Sequence, residues 1–184
     1  MYPYFKKSII AVLSNKIDKN DTIHQIKLLW STKLMNITLY IDADAFPNLL
    51  KPIVLRAIEK LKIKTFVISN KKVNIGKSEF ISYVIVEAGA DEADNRIVEL
   101  LNVGDLVITA DIPLANRVIE KNAHAIDHRG ELYTIDNIKH YLAMRNLMQE
   151  IRDSGEPTKG PAAFGPKDTQ NFANSFNKFL QSIN

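Results

Sequence analysis

The chain has 184 residues, of which 46% are hydrophobic and 24% are charged, and it contains no cysteine. This length and composition indicate one globular domain with a buried core, and the lack of cysteine excludes disulfide scaffolds, thiolate nucleophiles and cysteine-bound metal sites. The net charge of +3 comes from residues 1–34, where six lysines stand against two aspartates, whereas the rest of the chain holds 18 basic and 19 acidic residues, so the basic balance does not indicate a nucleic-acid-binding face on the domain.

Short apolar, β-branched segments alternate with segments that carry apolar residues at every third or fourth position. In chain order they predict a strand over residues 36–42, a helix over 46–61, strands over 64–69 and 80–86, a helix over 91–101, a strand over 105–110, a helix over 113–121, a strand over 123–126 and a long helix over 133–151. Nearly continuous apolar strands that alternate with helices indicate a mostly parallel sheet of about five strands, covered on both faces. The predicted fold class is therefore α/β, with a three-layer α/β/α, Rossmann-like architecture.

Proline and glycine set off the C-terminal part of the chain. Residues 154–184 begin with a stretch rich in both, which predicts an irregular crossing, and continue into a predicted helix over 167–180. Phe172, Phe176 and Phe179 recur at helical spacing, so we expect this helix to pack on the core. No apolar run reaches the roughly 18 residues needed to cross a bilayer, so we expect a soluble, cytoplasmic protein without a membrane partner.

Five aspartates fall where predicted strands end or predicted helices begin. They are Asp42 and Asp44 after the first strand, Asp91 and Asp94 at the start of the second helix, and Asp111 after the fourth strand. Because ligands of parallel sheets bind at the carboxyl ends of the strands, we expect these side chains to converge there. Converging carboxylates repel one another unless a cation neutralises them, which makes all five candidate ligands of Mg²⁺ or Mn²⁺. The alternative is that these aspartates only cap helices.

Basic side chains near the predicted edge are candidates for binding phosphate. Arginine matches phosphate oxygens with two parallel hydrogen bonds, and the candidates are Arg96, Arg117, Arg129 and Arg145. Arg129 is the strongest of these, because it follows the fifth strand in a glycine-containing turn, although a salt bridge to a site aspartate would also explain it. Lys71 and Lys72 lie in a loop that could contact a nucleic-acid backbone or could simply be solvated.

Several segments together carry a resemblance to a known family. They are residues 41–45, 90–98, 104–115, 129–134, 143–148, 154–156 and 172–174. The chain from about residue 35 to residue 180 resembles the YaiI/YqxD family of uncharacterised bacterial proteins, which is similar to PIN-like nuclease domains. The resemblance implies a PIN-like domain over residues 35–153, and residues 1–34 form a basic extension outside it. The family usually has cysteine where this chain has Phe46, so a thiol mechanism at that position is excluded.

The same resemblance implies which residues are catalytic. In PIN-like domains an aspartate ends the first strand, a helix begins with Asp-x-x-Ile, and Thr-x-Asp closes a later strand; Asp42, Asp94 and Asp111 match these positions. The chain is thus predicted to be a nuclease that depends on Mg²⁺ or Mn²⁺, with RNA favoured over DNA as substrate. Two alternatives remain open: a haloacid-dehalogenase-like phosphatase that uses Asp42 and Asp44, and a non-catalytic module that binds a nucleotide or RNA. The sequence predicts no oligomeric state.

Overall fold

The computed structural model describes residues 37–89, 91–157, 160 and 162–183. The predicted basic extension over residues 1–34 lies outside the described residues. Within them, no helix is both long enough and apolar enough to cross a membrane.

Strands and helices alternate along the described chain. They are β1 (Leu39–Asp42), a 3₁₀ helix (Asn48–Leu50), α1 (Lys51–Leu61), β2 (Thr65–Ser69), β3 (Ile81–Ile85), α2 (Glu92–Leu100), β4 (Leu106–Ile108), α3 (Ile112–Glu120), β5 (His124–Ile126), β6 (Leu132–Tyr133), α4 (Ile138–Asp153) and α5 (Pro166–Ile183). This alternation is the one that the apolar pattern predicts.

The strands form a single sheet in the order β3-β2-β1-β4-β5-β6. All neighbouring strands are parallel except β5 and β6, which pair antiparallel. The predicted fold class, α/β with three layers and a mostly parallel sheet, is confirmed. The described sheet has six strands rather than about five, because the short strand β6 adds an antiparallel edge.

The start of α4 differs from the prediction, which placed it at Tyr133. Tyr133 instead belongs to β6, and the helix begins only at Ile138. Between them, Thr134 and Asn137 close a turn: the Thr134 backbone N–H donates to Asn137 Oδ1 at 2.7 Å, and the Asn137 N–H donates to Thr134 Oγ1 at 3.2 Å. These side chains bond to backbone groups that a helix would otherwise use, so they delay the helix by about one turn.

The sheet separates two hydrophobic cores. On one face, α1 and α5 cover β1 and β4, with Leu50, Val54, Phe172 and Phe176 fully buried. On the other face, α2, α3 and α4 supply Ile97, Leu114, Val118 and Ile138, which are also buried. These two layers of helices exclude water from both sides of the central strands, so the polar side chains of β1 and β4 can reach solvent only at the ends of the strands.

The hairpin between β5 and β6 is held against α5. Gly130 in this hairpin has φ +91°, and a β-carbon at this position would lie 2.7 Å from the carbonyl carbon and oxygen of Asn171. The Arg129 guanidinium forms an ion pair with Asp168 in the first turn of α5, at 2.8 Å, and also donates to the Ala162 carbonyl. At position 130, only glycine permits both the positive φ and the close approach to the Asn171 backbone.

We expect Gly130→Ala to destabilise the protein more than Gly155→Ala does. Gly155 has a similar φ of +85°, but a β-carbon there would meet nothing within 4 Å. Each substitution costs roughly 1–2 kcal/mol for the left-handed backbone, and Gly130→Ala adds roughly 1–3 kcal/mol for overpacking against α5. Urea unfolding of both variants measures the difference, and equal losses would show that the hairpin does not depend on this contact.

Candidate functional site

The order of the strands places a topological switch point at the centre of the sheet. From β1 the chain crosses to β2 by way of α1 on one face, and from β4 it crosses to β5 by way of α3 on the other face. Ligands of open parallel sheets bind where the crossovers diverge in this way, beyond the carboxyl ends of the strands. Asp42 is the last residue of β1, and Asp111 lies just beyond β4. Both aspartates therefore stand at the position that the topology favours for a ligand.

Thr109 links these two aspartates. Its side chain is fully buried, and its hydroxyl donates to Asp42 Oδ2 at 2.7 Å. Thr109 Oγ1 also accepts from the backbone N–H of Asp111 at 2.9 Å. The hydroxyl thus fixes the direction of the Asp42 carboxylate and the start of the loop that carries Asp111. Sequence reasoning used Thr109 only as part of a motif, and its role as the link between two strands emerges from the packing.

Asp111 caps α3. Its Oδ1 accepts from the backbone N–H of Leu114 at 2.7 Å, and the following Pro113 lies in the first turn, where a missing N–H costs least. Asp111 therefore does cap a helix, as the alternative interpretation of the aspartates predicts. Capping uses one carboxylate oxygen, and within the described chain no hydrogen bond involves the other oxygen, Oδ2.

Asp94, in the first turn of α2, is electrostatically coupled to this pair. Its pKa is raised from 3.8 to about 6, first by burial and then by the negative charges of Asp111, Asp42 and Asp91; Arg117 opposes the rise. Burial also raises the pKa of Asp42, partly offset by the Thr109 hydroxyl. Asp42, Asp94 and Asp111 thus lie at one edge of the sheet, close enough for the negative charge of one carboxylate to disfavour ionisation of another.

Asp44 and Asp91 occupy the margins of this edge. Asp44 Oδ1 accepts from the backbone N–H of Asn70 at 3.0 Å, which ties the loop after β1 to the loop after β2. Asp91 is exposed, has a left-handed backbone with φ 62°, and does not cap α2 with its side chain. The two extra carboxylates therefore flank the central three.

The donor set fits an oxygen-seeking cation in its chemistry. Uncompensated negative charge on Asp42, Asp94 and Asp111 is the condition that Mg²⁺ or Mn²⁺ relieves, and these ions prefer carboxylate oxygens. Across the described ranges, no three acidic, histidine or cysteine side chains are already grouped closely enough to hold one ion. The edge therefore has donors of suitable chemistry, but the described residues do not group three of them into a coordination shell.

The basic side chains predicted to bind phosphate lie in different surroundings. Arg129 is engaged by α5, as described above, and not by a site aspartate. Arg96 pairs with Glu99 on the exposed side of α2. Lys71 and Lys72 are exposed in the loop that follows β2. Among the residues that the structure describes, Arg117 of α3 acts on the acidic edge: it lowers the pKa of Asp94 and donates to Asn95 Oδ1 at 2.9 Å.

His124, at the start of β5, and His128, two residues after its end, pack on aromatic rings. The His124 ring meets the Phe179 ring edge-on at 4.9 Å, and the His128 ring meets the Phe46 ring edge-on at 5.4 Å. Burial lowers the pKa of His128 to about 4, so its imidazole is neutral at physiological pH. Its Nε2 is buried and has no hydrogen-bond partner within the described part of the chain. Both histidines therefore contribute to packing.

We expect Asp94→Asn to stabilise the metal-free protein at neutral pH. The folded state holds the Asp94 proton up to about pH 6, whereas the unfolded chain releases it near pH 4, so stability falls as pH rises through this window. Asparagine removes this loss, which amounts to a gain on the order of 1 kcal/mol at pH 7 after allowance for solvent screening, and to no gain below pH 4.

Urea unfolding in a chelating buffer from pH 3.5 to 7.5 measures this difference. Asp153→Asn, at the exposed end of α4, serves as the control and should follow the wild-type profile. A stability difference between Asp94→Asn and wild type that stays constant with pH would contradict the coupling of Asp94 to its acidic neighbours.

Comparison with known proteins establishes the family. The family model described as "Uncharacterized BCR, YaiI/YqxD family" matches residues 40–182. A UPF0178 protein of Sulfurovum sp. is 70% identical over 144 residues, which cover 78% of this chain and 97% of that relative. A UPF0178 protein of Janthinobacterium sp. is 46% identical over 142 residues, or 77% of this chain and 94% of the relative. No solved structure matches the chain significantly, so the similarity to PIN-like domains stays a prediction. The chain belongs to the YaiI/YqxD family of uncharacterised bacterial proteins.

Proposed function

We propose that the chain is a divalent-metal-dependent nuclease of the cytoplasm that cleaves RNA in preference to DNA. The observation that carries this proposal is the Thr109 link between Asp42 and Asp111 at the switch point of the sheet, with Asp94 coupled to both by charge. Carboxylates that converge at this position lower the stability of the fold through their repulsion, but they favour the binding of a cation. The preference for RNA rests on the resemblance to PIN-like domains.

The three carboxylates have distinct tasks in this proposal. Asp42, directed by Thr109, and Asp111, directed by the N-terminus of α3, would hold Mg²⁺ or Mn²⁺ from two neighbouring strands. Asp94 would complete the set from α2, and Asp44 and Asp91 would assist from the margins. A divalent cation in such a set lowers the pKa of bound water and stabilises the charge of a phosphodiester under attack.

Arg117 has a supporting task. The positive charge of Arg117 lowers the pKa of the Asp94 carboxyl, and its hydrogen bond to Asn95 connects α3 with α2. A guanidinium at this position favours the ionised form of Asp94 that a cation requires. Arg117 thereby keeps the third carboxylate available without occupying the place of a ligand.

We expect the full chain to cleave end-labelled single-stranded RNA in the presence of Mn²⁺ or Mg²⁺ and not in EDTA. Asp42→Asn should reduce the rate at least about 100-fold, and Thr109→Val by about 10- to 100-fold, because Thr109 orients Asp42 and the start of the loop that carries Asp111 but is not itself a ligand. Thr109→Ser keeps the hydroxyl and should retain most of the activity. Asp153→Asn, outside the acidic edge, should cleave at the wild-type rate.

The alternatives give different results in the same assays. Cleavage that persists in EDTA or in Asp42→Asn would overturn the proposal. Metal-dependent release of phosphate from an aryl phosphate, without cleavage of RNA, would instead indicate the phosphatase. Tight RNA binding without turnover would indicate a binding module.

A further inference from the structure

A polar cavity lies beside the β5–β6 hairpin, outside the acidic edge. It has a volume of about 440 Å³ and is lined on one side by Asp127, Arg129 and Glu131 and on the other by Asn171, Asn174 and Ser175 of α5. Two of the segments that carry the family resemblance, residues 129–134 and 172–174, therefore meet here. Neither segment supplies a residue to the proposed metal centre. The cavity is open to solvent, because Asn171 and Asn174 on its border are exposed.

The α5 wall carries hydrogen-bonding groups that the fold does not use. Asn171, Asn174 and Ser175 are spaced by three and four residues, so they share one face of the helix. Within the described chain, the side chains of Asn171 and Ser175 form no hydrogen bond, and Asn174 only accepts one, from Gln170 Nε2 at 2.9 Å. This wall therefore presents both donors and acceptors to a ligand.

The acidic side chains of the hairpin wall already accept hydrogen bonds within the fold, and their negative charge disfavours anions. Asp127 Oδ1 accepts from the backbone N–H groups of Arg129 and Glu131, and Glu131 accepts from Asn137 Nδ2. The Arg129 guanidinium on the same wall pairs with Asp168, so its charge does not offset the two acidic side chains that line the cavity. A phosphate group is disfavoured next to these carboxylates. A ligand that lacks negative charge and both donates and accepts hydrogen bonds is favoured.

The cavity adjoins the acidic edge. The backbone N–H of Thr109 donates to the Ile126 carbonyl at 3.1 Å, which places the end of β4 beside the residue that precedes Asp127. The contact between Phe46 and His128 brings the loop after β1 against the same hairpin. β6 lies two strands from β4, or about 10 Å at the usual spacing between strands. One extended strand of RNA can therefore have a phosphate at the acidic edge and a neighbouring base at the cavity.

We propose that this cavity is a nucleobase subsite, an inference that rests on the proposed action on RNA. Asparagine pairs with the edge of a base by one amide donor and one amide acceptor, and α5 presents two asparagines on the same face. Bases of single-stranded RNA are free to be bound in this way, since they are not paired. The subsite would read the base while the acidic edge acts on the phosphodiester.

Adenosine tests the subsite without the phosphate and without the metal centre. In a chelating buffer, adenosine should shift the side-chain amide NMR signals of Asn171 and Asn174 in the full chain. Asn174→Ala should lose the shift at Asn171, whereas Asn146→Ala, on the exposed side of α4, should retain both shifts. Asp42→Asn should bind adenosine like the wild type, because the acidic edge takes no part.

The outcomes separate the subsite from the nuclease. If adenosine leaves the Asn171 and Asn174 signals unchanged, the subsite is overturned, even if RNA is cleaved. If adenosine shifts them but Mn²⁺-dependent cleavage is absent, the proposed nuclease fails and the nucleobase site stands. For cleavage of oligoadenylate, Asn174→Ala should raise KM about 10-fold and leave kcat unchanged, and a loss confined to kcat would also overturn the subsite.

Discussion

The hydrogen bond from Thr109 to Asp42 joins the two central strands at the end where the chain leaves the sheet in opposite directions. It is formed by a buried hydroxyl, and the oxygen that donates it also accepts from the Asp111 backbone. A single side chain, that of Thr109, therefore orients both aspartates. The electrostatics of Asp94 depend on this arrangement, because its pKa responds to both carboxylates.

This edge is kept at a cost to the fold. Burial and mutual repulsion disfavour the ionised forms of Asp42 and Asp94, and a neutral side chain at either position would remove the penalty. Elsewhere the protein balances its charges locally, as in the pair between Arg129 and Asp168. Residues that lower stability while they gather like charges at a ligand-binding edge are typical of a site under functional constraint.

The alternation of helices and strands was predictable because buried parallel strands need nearly continuous apolar residues, as in Leu106–Ile108. The convergence of Asp42 and Asp111 also followed, since parallel strands end at a common edge. The two-residue strand β6 did not, because Ile135 and Ile138 have the three-residue spacing of a helix and the Thr134–Asn137 turn that ends the strand depends on side-chain geometry. The partner of Arg129 is distant in sequence, so only the folded chain identifies Asp168.

The helix α5 serves the molecule with two separate faces. Phe172 and Phe176 are fully buried beneath the sheet, while Asn171, Asn174 and Ser175 border the cavity. Substitutions on the outer face can change the size and hydrogen bonding of the cavity and leave the aromatic contacts intact. Substitutions at Asn171, Asn174 or Ser175 would therefore alter the proposed subsite without disturbing the aromatic core on the same helix.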